Sequence, residues 1–246
     1  MPKVVLTEPM HHGCTNAVLG EHPDVDVVAL PSGVDAATVR NAITDADGIG
    51  VRILPLRRDD LEGCRTLKVI AKHGVGTDNI DRAFCEERGI AVLITPDANS
   101  VSVAEHAMML MLALAKRLAF FDAETRRGHF HARNSDRGAF DLAGRTALVV
   151  GVGRTGQQLI PRLRAFGVRV IAADPMLDAA TASALDCERV VDFRSALGEV
   201  DILSVHVPFT PETRHLIGAR ELGALKPGAM VINCARGGIV DEAALV

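Results

Sequence analysis

Tryptophan and tyrosine are absent from this sequence, so packing rests on aliphatic side chains and eight phenylalanines. No C-x-x-C pair occurs. The five cysteines (Cys14, Cys64, Cys85, Cys187 and Cys234) are scattered and odd in number. That pattern favours a reducing cytoplasm over a disulfide framework. There is no basic run, and the net charge of −4 gives no sign of a nucleic-acid surface. The opening Met1-Pro-Lys-Val-Val-Leu6 lacks the apolar core of a signal peptide. The longest apolar run, Ala107 to Ala115, is far too short to span a bilayer. It reads as a helix buried on all sides, at a domain or subunit contact.

What is present is ordinary for a soluble globular chain, with 48% apolar and 24% charged residues. At 246 residues it can form one large domain or two small ones. Short β-rich runs alternate with longer segments. Lys3–Leu6, Val25–Leu30, Gly48–Val51, Leu67–Ala71 and Ile90–Ile94 read as strands, Asp35–Ile43 and Asp81–Arg88 as helices, the latter stopped by Gly89. Such alternation predicts βαβ units and a parallel sheet. Thr95-Pro96-Asp97 breaks the pattern, dividing a first unit, 1–98, from a second, 99–246.

In the second unit Ser102-Val-Ala-Glu105 has capping-box spacing, with Asn99 or Ser100 as alternative caps, for a helix running to about Leu118. Further strands are expected near Val168–Ala172, Asp201–Val205 and Ala229–Ile232, with helices near Ala179–Leu185, Arg220–Ala224 and from Asp241. Pro161 falls inside the helix expected over 154–166, which predicts a kink or early break.

The most informative stretch is Thr146-Ala-Leu-Val-Val150, a strand-like run that leads into Gly151-Val-Gly153-Arg154-Thr155-Gly156. In G-x-G-x-x-G the first glycine allows a tight turn and the second a close approach of backbone to a pyrophosphate. The third lets the helix lie on the strand, with its N-terminus toward the phosphates. Eighteen residues past Gly156, a second apolar run ends in Asp174, placed to accept hydrogen bonds from an adenosine ribose. That carboxylate favours the 2′-hydroxyl of NAD and repels the 2′-phosphate of NADP, and Pro175 and Met176 offer no arginine to rescue a phosphate. NAD is therefore the expected cofactor.

Five motifs follow in order: Lys72-His-Gly-Val-Gly-Thr-Asp-Asn-Ile-Asp81, Asn99-Ser-Val-Ser-Val-Ala-Glu-His106, the glycine-rich turn, His206-Val-Pro-Phe-Thr-Pro-Glu-Thr213, and Leu225 to Gly238 with its Asn-Cys-Ala-Arg236. From about Leu67 onward the chain resembles the D-isomer-specific 2-hydroxyacid dehydrogenases, the group that includes phosphoglycerate, hydroxypyruvate and formate dehydrogenases. The resemblance implies an α/β fold of two Rossmann-like parallel-sheet domains. The first would be a flavodoxin-like substrate-binding domain and the second a doubly wound NAD-binding domain, with a cleft between them. It implies hydride transfer between nicotinamide and a small D-2-hydroxy acid or 2-keto acid.

Arg236 matches the family's catalytic arginine; a guanidinium can hold a carboxylate by two parallel hydrogen bonds and polarise the neighbouring carbonyl. Val75 and Gly76 match the turn whose N–H groups take the substrate carboxylate. Asn99 matches a substrate-holding position and Val103 one near the nicotinamide, though they also read as helix cap and core residue. The resemblance places Gly151, Gly153, Arg154, Thr155, Gly156, Asp174, His206, Pro208, Thr213, Cys234 and Ala235 at the cofactor. His206 is then a pocket residue and not the proton donor, and Cys234 lacks an activating base. The His11-His12 and His129/His131 pairs have no carboxylate or cysteine at metal spacing, so no metal is expected.

The family's proton-donating histidine and its glutamate partner lie downstream of the arginine motif and have no counterpart here. An incomplete copy of a longer dehydrogenase is the favoured expectation. Alternatives are a non-catalytic, corepressor-like NAD-binding module and a formate dehydrogenase-type activity. The apolar helix after Ser102 predicts a homodimer.

Overall fold

The computed structural model describes residues 1–10, 18, 20–131 and 138–246. His11, His12 and Cys14 lie outside the described residues. The chain divides into two compact units, Met1–Asn99 and Ser100–Val246.

The first unit is a sheet of five parallel strands, β1 (Lys3–Leu6), β2 (Asp26–Ala29), β3 (Gly48–Val51), β4 (Val69–Lys72) and β5 (Ala91–Leu93), ordered β2-β1-β3-β4-β5. This is the flavodoxin-like order, in which the topology reverses between β1 and β3. Val5, Ile49, Val51 and Ile70 are almost wholly buried with Val39, Ile43, Leu61 and Phe84 from the covering helices. The helices begin where the sequence places acids: Asp35 and Asp81 accept from the N–H of Thr38 and Phe84. Gly89 takes φ +67 just past Arg82–Glu87 and ends it.

The second unit is again a five-stranded parallel sheet: β6 (Thr146–Val150), β7 (Arg169–Ala173), β8 (Glu188–Val190), β9 (Ile202–Val205) and β10 (Met230–Asn233), ordered β10-β9-β6-β7-β8. It is the doubly wound dinucleotide-binding order, with the switch point between β6 and β9. Alternate strand residues feed two cores. Ala147, Val149, Val170 and Ala172 face the helices Ser100–Ala115 and Arg154–Ala165, whereas Leu148, Val150, Ile171 and Leu203 face Phe193, Leu197 and Ile217.

Local expectations at this helix and the next are refined. The long helix starts at Ser100, as the Asn99 alternative has it, so Ser102 and Glu105 lie inside it, and the Glu105 carboxylate reaches Arg162 at 3.5 Å. It stops at Ala115, short of Leu118; Arg117 takes left-handed backbone (φ 51) and starts a second helix, Leu118–Arg126. It is not buried on all sides within this chain. Ala104, Ala107, Met108, Met111 and Ala115 form one covered stripe, while Met109 and Leu114 are about half exposed.

Of the kink or early break expected at Pro161, the break does not occur: Arg154–Ala165 is one continuous helix with the proline inside it. Pro161 is exposed, so water can reach the carbonyl its ring leaves without a partner, while Leu159, Ile160 and Leu163 are fully buried and hold the helix on the sheet. Tertiary packing outweighs the local rule.

Candidate functional site

The carboxyl ends of β6 and β9 flank the switch point, and the predicted glycines, Asp174 and His206 are gathered there. Gly151 turns off β6 at φ +95, and a Cβ on it would stand 2.7 Å from the backbone of His206. A Cβ on Gly156 would stand 2.3 Å from the carbonyl oxygen of Gly151, so the helix rests directly on the turn. Gly153, the N-cap of that helix, has nothing within 4 Å of where its Cβ would be. The first and third glycines thus fill close contacts inside the protein, whereas the second faces open space beside the N–H groups of Arg154 and Thr155 at the helix start. That is the arrangement a pyrophosphate needs.

Asp174 follows β7 and is partly exposed. Its Oδ2 accepts from the Val152 N–H and its Oδ1 from the Met176 N–H, both at 2.7 Å. The carboxylate is therefore locked against the glycine-rich turn with a fixed orientation. On the other side of the switch point, His206 donates its backbone N–H to Val150 O at 2.7 Å, and its Nε2 lies 2.8 Å from the Ser204 hydroxyl. Burial lowers the His206 pKa from 6.5 to about 4, so the ring is neutral at physiological pH. The sequence reading missed Ser204, although residues two apart on a strand share a face.

A neutral buried histidine has a stability consequence. Unfolded, it takes up a proton below pH 6.5; folded, it does so only near pH 4. Stability is therefore fully present above the unfolded pKa and falls between these two values. Replacing His206 by glutamine is expected to flatten that part of the stability–pH curve, measured by chemical denaturation; an unchanged slope would contradict the burial argument.

The His206–Thr213 segment is closed by Thr213, whose hydroxyl accepts from the Thr210 N–H at 2.7 Å and donates to Pro208 O at 2.6 Å. Phe209 leaves it to pack on the arginine loop, its ring 3.1 Å from where a Gly238 Cβ would lie. That loop is shaped by Asn233 at the end of β10. Its Oδ1 accepts from the Ala235 N–H at 3.0 Å and its Nδ2 donates to Arg236 O at 2.8 Å. Arg236 itself is exposed and donates from Nη1 to Ala235 O. Val103, Cys234, Ala235 and Arg236 line one cavity of about 760 Å³, with Ser102 and His106. Burial raises the Cys234 thiol pKa, which suits an inert wall residue better than a nucleophile.

The other predicted residues belong to the first unit. Val75 is 37% exposed in the loop after β4, and Gly74 beside it takes φ +137. Thr95 ties Gly74 down, accepting its N–H at 3.1 Å and donating its own N–H to Gly74 O at 3.0 Å. Asn99 is exposed, immediately before the Ser100 helix.

Exposed His129 has a carboxylate neighbour the sequence reading missed, Glu124 at 2.9 Å. No group of three or more potential metal ligands occurs among the described residues. Nor is any helix among them long and apolar enough to cross a membrane.

A parallel sheet in this order, with a glycine-rich turn and an acid at its switch point, defines a dinucleotide-binding domain. Residues 108–246 match the family model of the D-isomer specific 2-hydroxyacid dehydrogenase NAD binding domain. The chain belongs to that family. It is 39% identical over its full length to a D-3-phosphoglycerate dehydrogenase of Methanocaldococcus jannaschii, of which it covers 46%. A hydroxypyruvate reductase of Thermotoga maritima is 37% identical over 93% of this chain and 69% of that protein. Among solved structures, D-lactate dehydrogenase of Aquifex aeolicus with NAD and lactic acid superposes with a TM-score of 0.84 at 28% identity, covering 99% of this chain and 72% of that one. The chain spans about half the length of the first curated relatives it matches.

Proposed function

We propose that this protein is an NAD-dependent oxidoreductase that transfers a hydride between nicotinamide and a small D-2-hydroxy acid or 2-keto acid. The observation that carries this reading is the switch-point geometry. Gly153 leaves open space at a helix N-terminus, and Asp174 is held beside it by two backbone N–H groups. Bound there, NAD would supply or accept the hydride. Arg236 holds the substrate carboxylate and polarises the keto group, while the N–H groups of Val75 and Gly76 take carboxylate oxygens and Asn99 steadies the substrate. Val103, Cys234 and Ala235 form the wall beside the nicotinamide.

Residues 1–98 serve as the substrate-binding domain and 99–246 as the NAD-binding domain. NADH oxidation by the full-length protein with glyoxylate, pyruvate, hydroxypyruvate and 3-phosphohydroxypyruvate tests the reading, with formate oxidation run beside it. NADH binding without turnover of any of these would instead indicate the corepressor-like module.

The Asp174 carboxylate sets the cofactor choice. NADH should bind at least about tenfold more tightly than NADPH, equivalent to ~1.4 kcal/mol or more of like-charge repulsion. Isothermal titration measures both, and tighter NADPH binding would overturn the assignment.

The protein is a homodimer in this reading, paired through the helix after Ser102. Met109 and Leu118, about half exposed, border an apolar groove of about 560 Å³ with Met108, Leu112 and Phe166. Light scattering should give twice the chain mass; a monomer would contradict it. The scattered cysteines and net charge of −4 favour a cytoplasmic protein that acts on small molecules and not on nucleic acid.

A further inference from the structure

Lysine is rarely buried without a reason, yet Lys72 is only 9% exposed and has no part in the chemistry proposed above. It ends β4, immediately before the turn at 74–76. Its Nζ donates to Asn79 Oδ1 at 2.9 Å, closing the base of the loop that carries the turn, and also to Arg52 O in the segment that follows β3. Asn79 adds a bond to that segment, its Nδ2 donating to Leu54 O at 2.7 Å, and its carbonyl accepts the Leu56 N–H at 2.7 Å. The 52–56 segment and the turn loop are thus bolted together through the Arg52 and Leu54 carbonyls and the Leu56 N–H.

The N–H side of the same segment is gripped from β1. A single oxygen, Glu8 Oε1, accepts three consecutive backbone N–H groups: Arg52 at 2.7 Å, Ile53 at 2.6 Å and Leu54 at 3.1 Å. Charge-assisted bonds to backbone N–H groups are among the stronger hydrogen bonds a protein makes. Glu8 and Arg52–Leu54 follow β1 and β3, the two strands that flank the switch point of the first unit, where sheets of this order bind their ligands. The segment is anchored at its far end by Leu56, fully buried and bridged to Ile80, while residues 52–54 lie outside the sheet ladder and take their bonds from Glu8, Lys72 and Asn79.

Resting on the keto-acid reading above, we propose that Glu8 and Lys72 are positioning residues for the substrate. Glu8 and Lys72 grip the 52–54 segment from opposite sides, and through Asn79 this sets the place of the Val75–Gly76 N–H groups. Neither touches the substrate. Their loss weakens capture of the keto acid and leaves the cofactor domain untouched. What Glu8 contributes is an acceptor oxygen, so glutamine, which keeps one, replaces it and alanine does not.

The test uses the full-length protein with whichever keto acid of the panel is turned over fastest. Glu8→Ala and Lys72→Met should each raise its KM about tenfold, with kcat within about threefold and the NADH dissociation constant within about twofold of the parent, while Glu8→Gln stays within about threefold in KM. Unchanged KM in Glu8→Ala and Lys72→Met overturns the proposal. So does a parallel loss of kcat and NADH affinity, which would mark a general structural clamp, and so does a Glu8→Gln variant as impaired as Glu8→Ala. All three leave the dehydrogenase reading standing. Failure of the parent protein to turn over any keto acid overturns that reading and this proposal with it.

Discussion

Replacing Arg236 by alanine is expected to lower kcat/KM for the keto acid by on the order of 10³-fold while NADH binding stays within about twofold. The size follows from two roles carried by one group. Parallel N–H donors hold the carboxylate, and the same cation draws charge onto the keto oxygen as hydride arrives. The selectivity follows from the local structure. The arginine loop is shaped by Asn233, bonded to the Ala235 N–H and the Arg236 carbonyl, and by Phe209 packed at Gly238. These contacts hold the loop independently of the Arg236 side chain, which is exposed and bonds the loop through Nη1 to Ala235 O, so the loop is expected to survive its removal. Lysine should recover only a small part of the loss, because it keeps the charge without the planar fork. Steady-state kinetics with a parallel NADH titration measure both quantities. Turnover retained in Arg236→Ala, or NADH affinity lost with it, would refute the role.

The second large effect is expected at Gly156. A methyl group there would be forced to 2.3 Å from the carbonyl oxygen of Gly151, which is backbone and cannot swing away. The helix must then lift off the turn, at a cost of about 1–3 kcal/mol or more, and NADH affinity should fall by roughly 10²-fold. Gly153→Ala makes the informative comparison. Its Cβ meets nothing within 4 Å, so the thermal midpoint should hardly move, yet the methyl takes space that the turn leaves open for a pyrophosphate. Loss of NADH affinity in both variants with loss of stability only in Gly156→Ala is the expected pattern. Equal destabilisation, or full NADH binding by Gly156→Ala, would contradict the packing argument.

Both predictions begin at residues legible without coordinates, and the reason is that the strands are buried on both faces. A run such as Thr146–Val150 can read as little else when it ends in glycine, and Asp174 follows from the same logic one strand along. Helix limits were harder to read. Lys116 and Arg117 carry no glycine or proline signal, yet Arg117 adopts left-handed backbone and ends the first helix. Pro161 misled in the opposite direction, because burial of Leu159, Ile160 and Leu163 decides the matter across the sheet and not along the chain. Ser204 was within reach of a strand argument through its spacing from His206. The Glu8 contact was not. The N–H groups it accepts lie 44 to 46 residues away, and only the topology that places β1 beside β3 brings them together.

The most direct test of the account is isotopic. The full-length protein is incubated with NADH deuterated at C4 of the nicotinamide and a panel of 2-keto acids, and the product is examined by mass spectrometry and chiral chromatography. Deuterium at C2 of a D-configured hydroxy acid, formed in step with NADH consumption, is the predicted result. NADH that binds but is never consumed, or deuterium that never appears at C2, would contradict it.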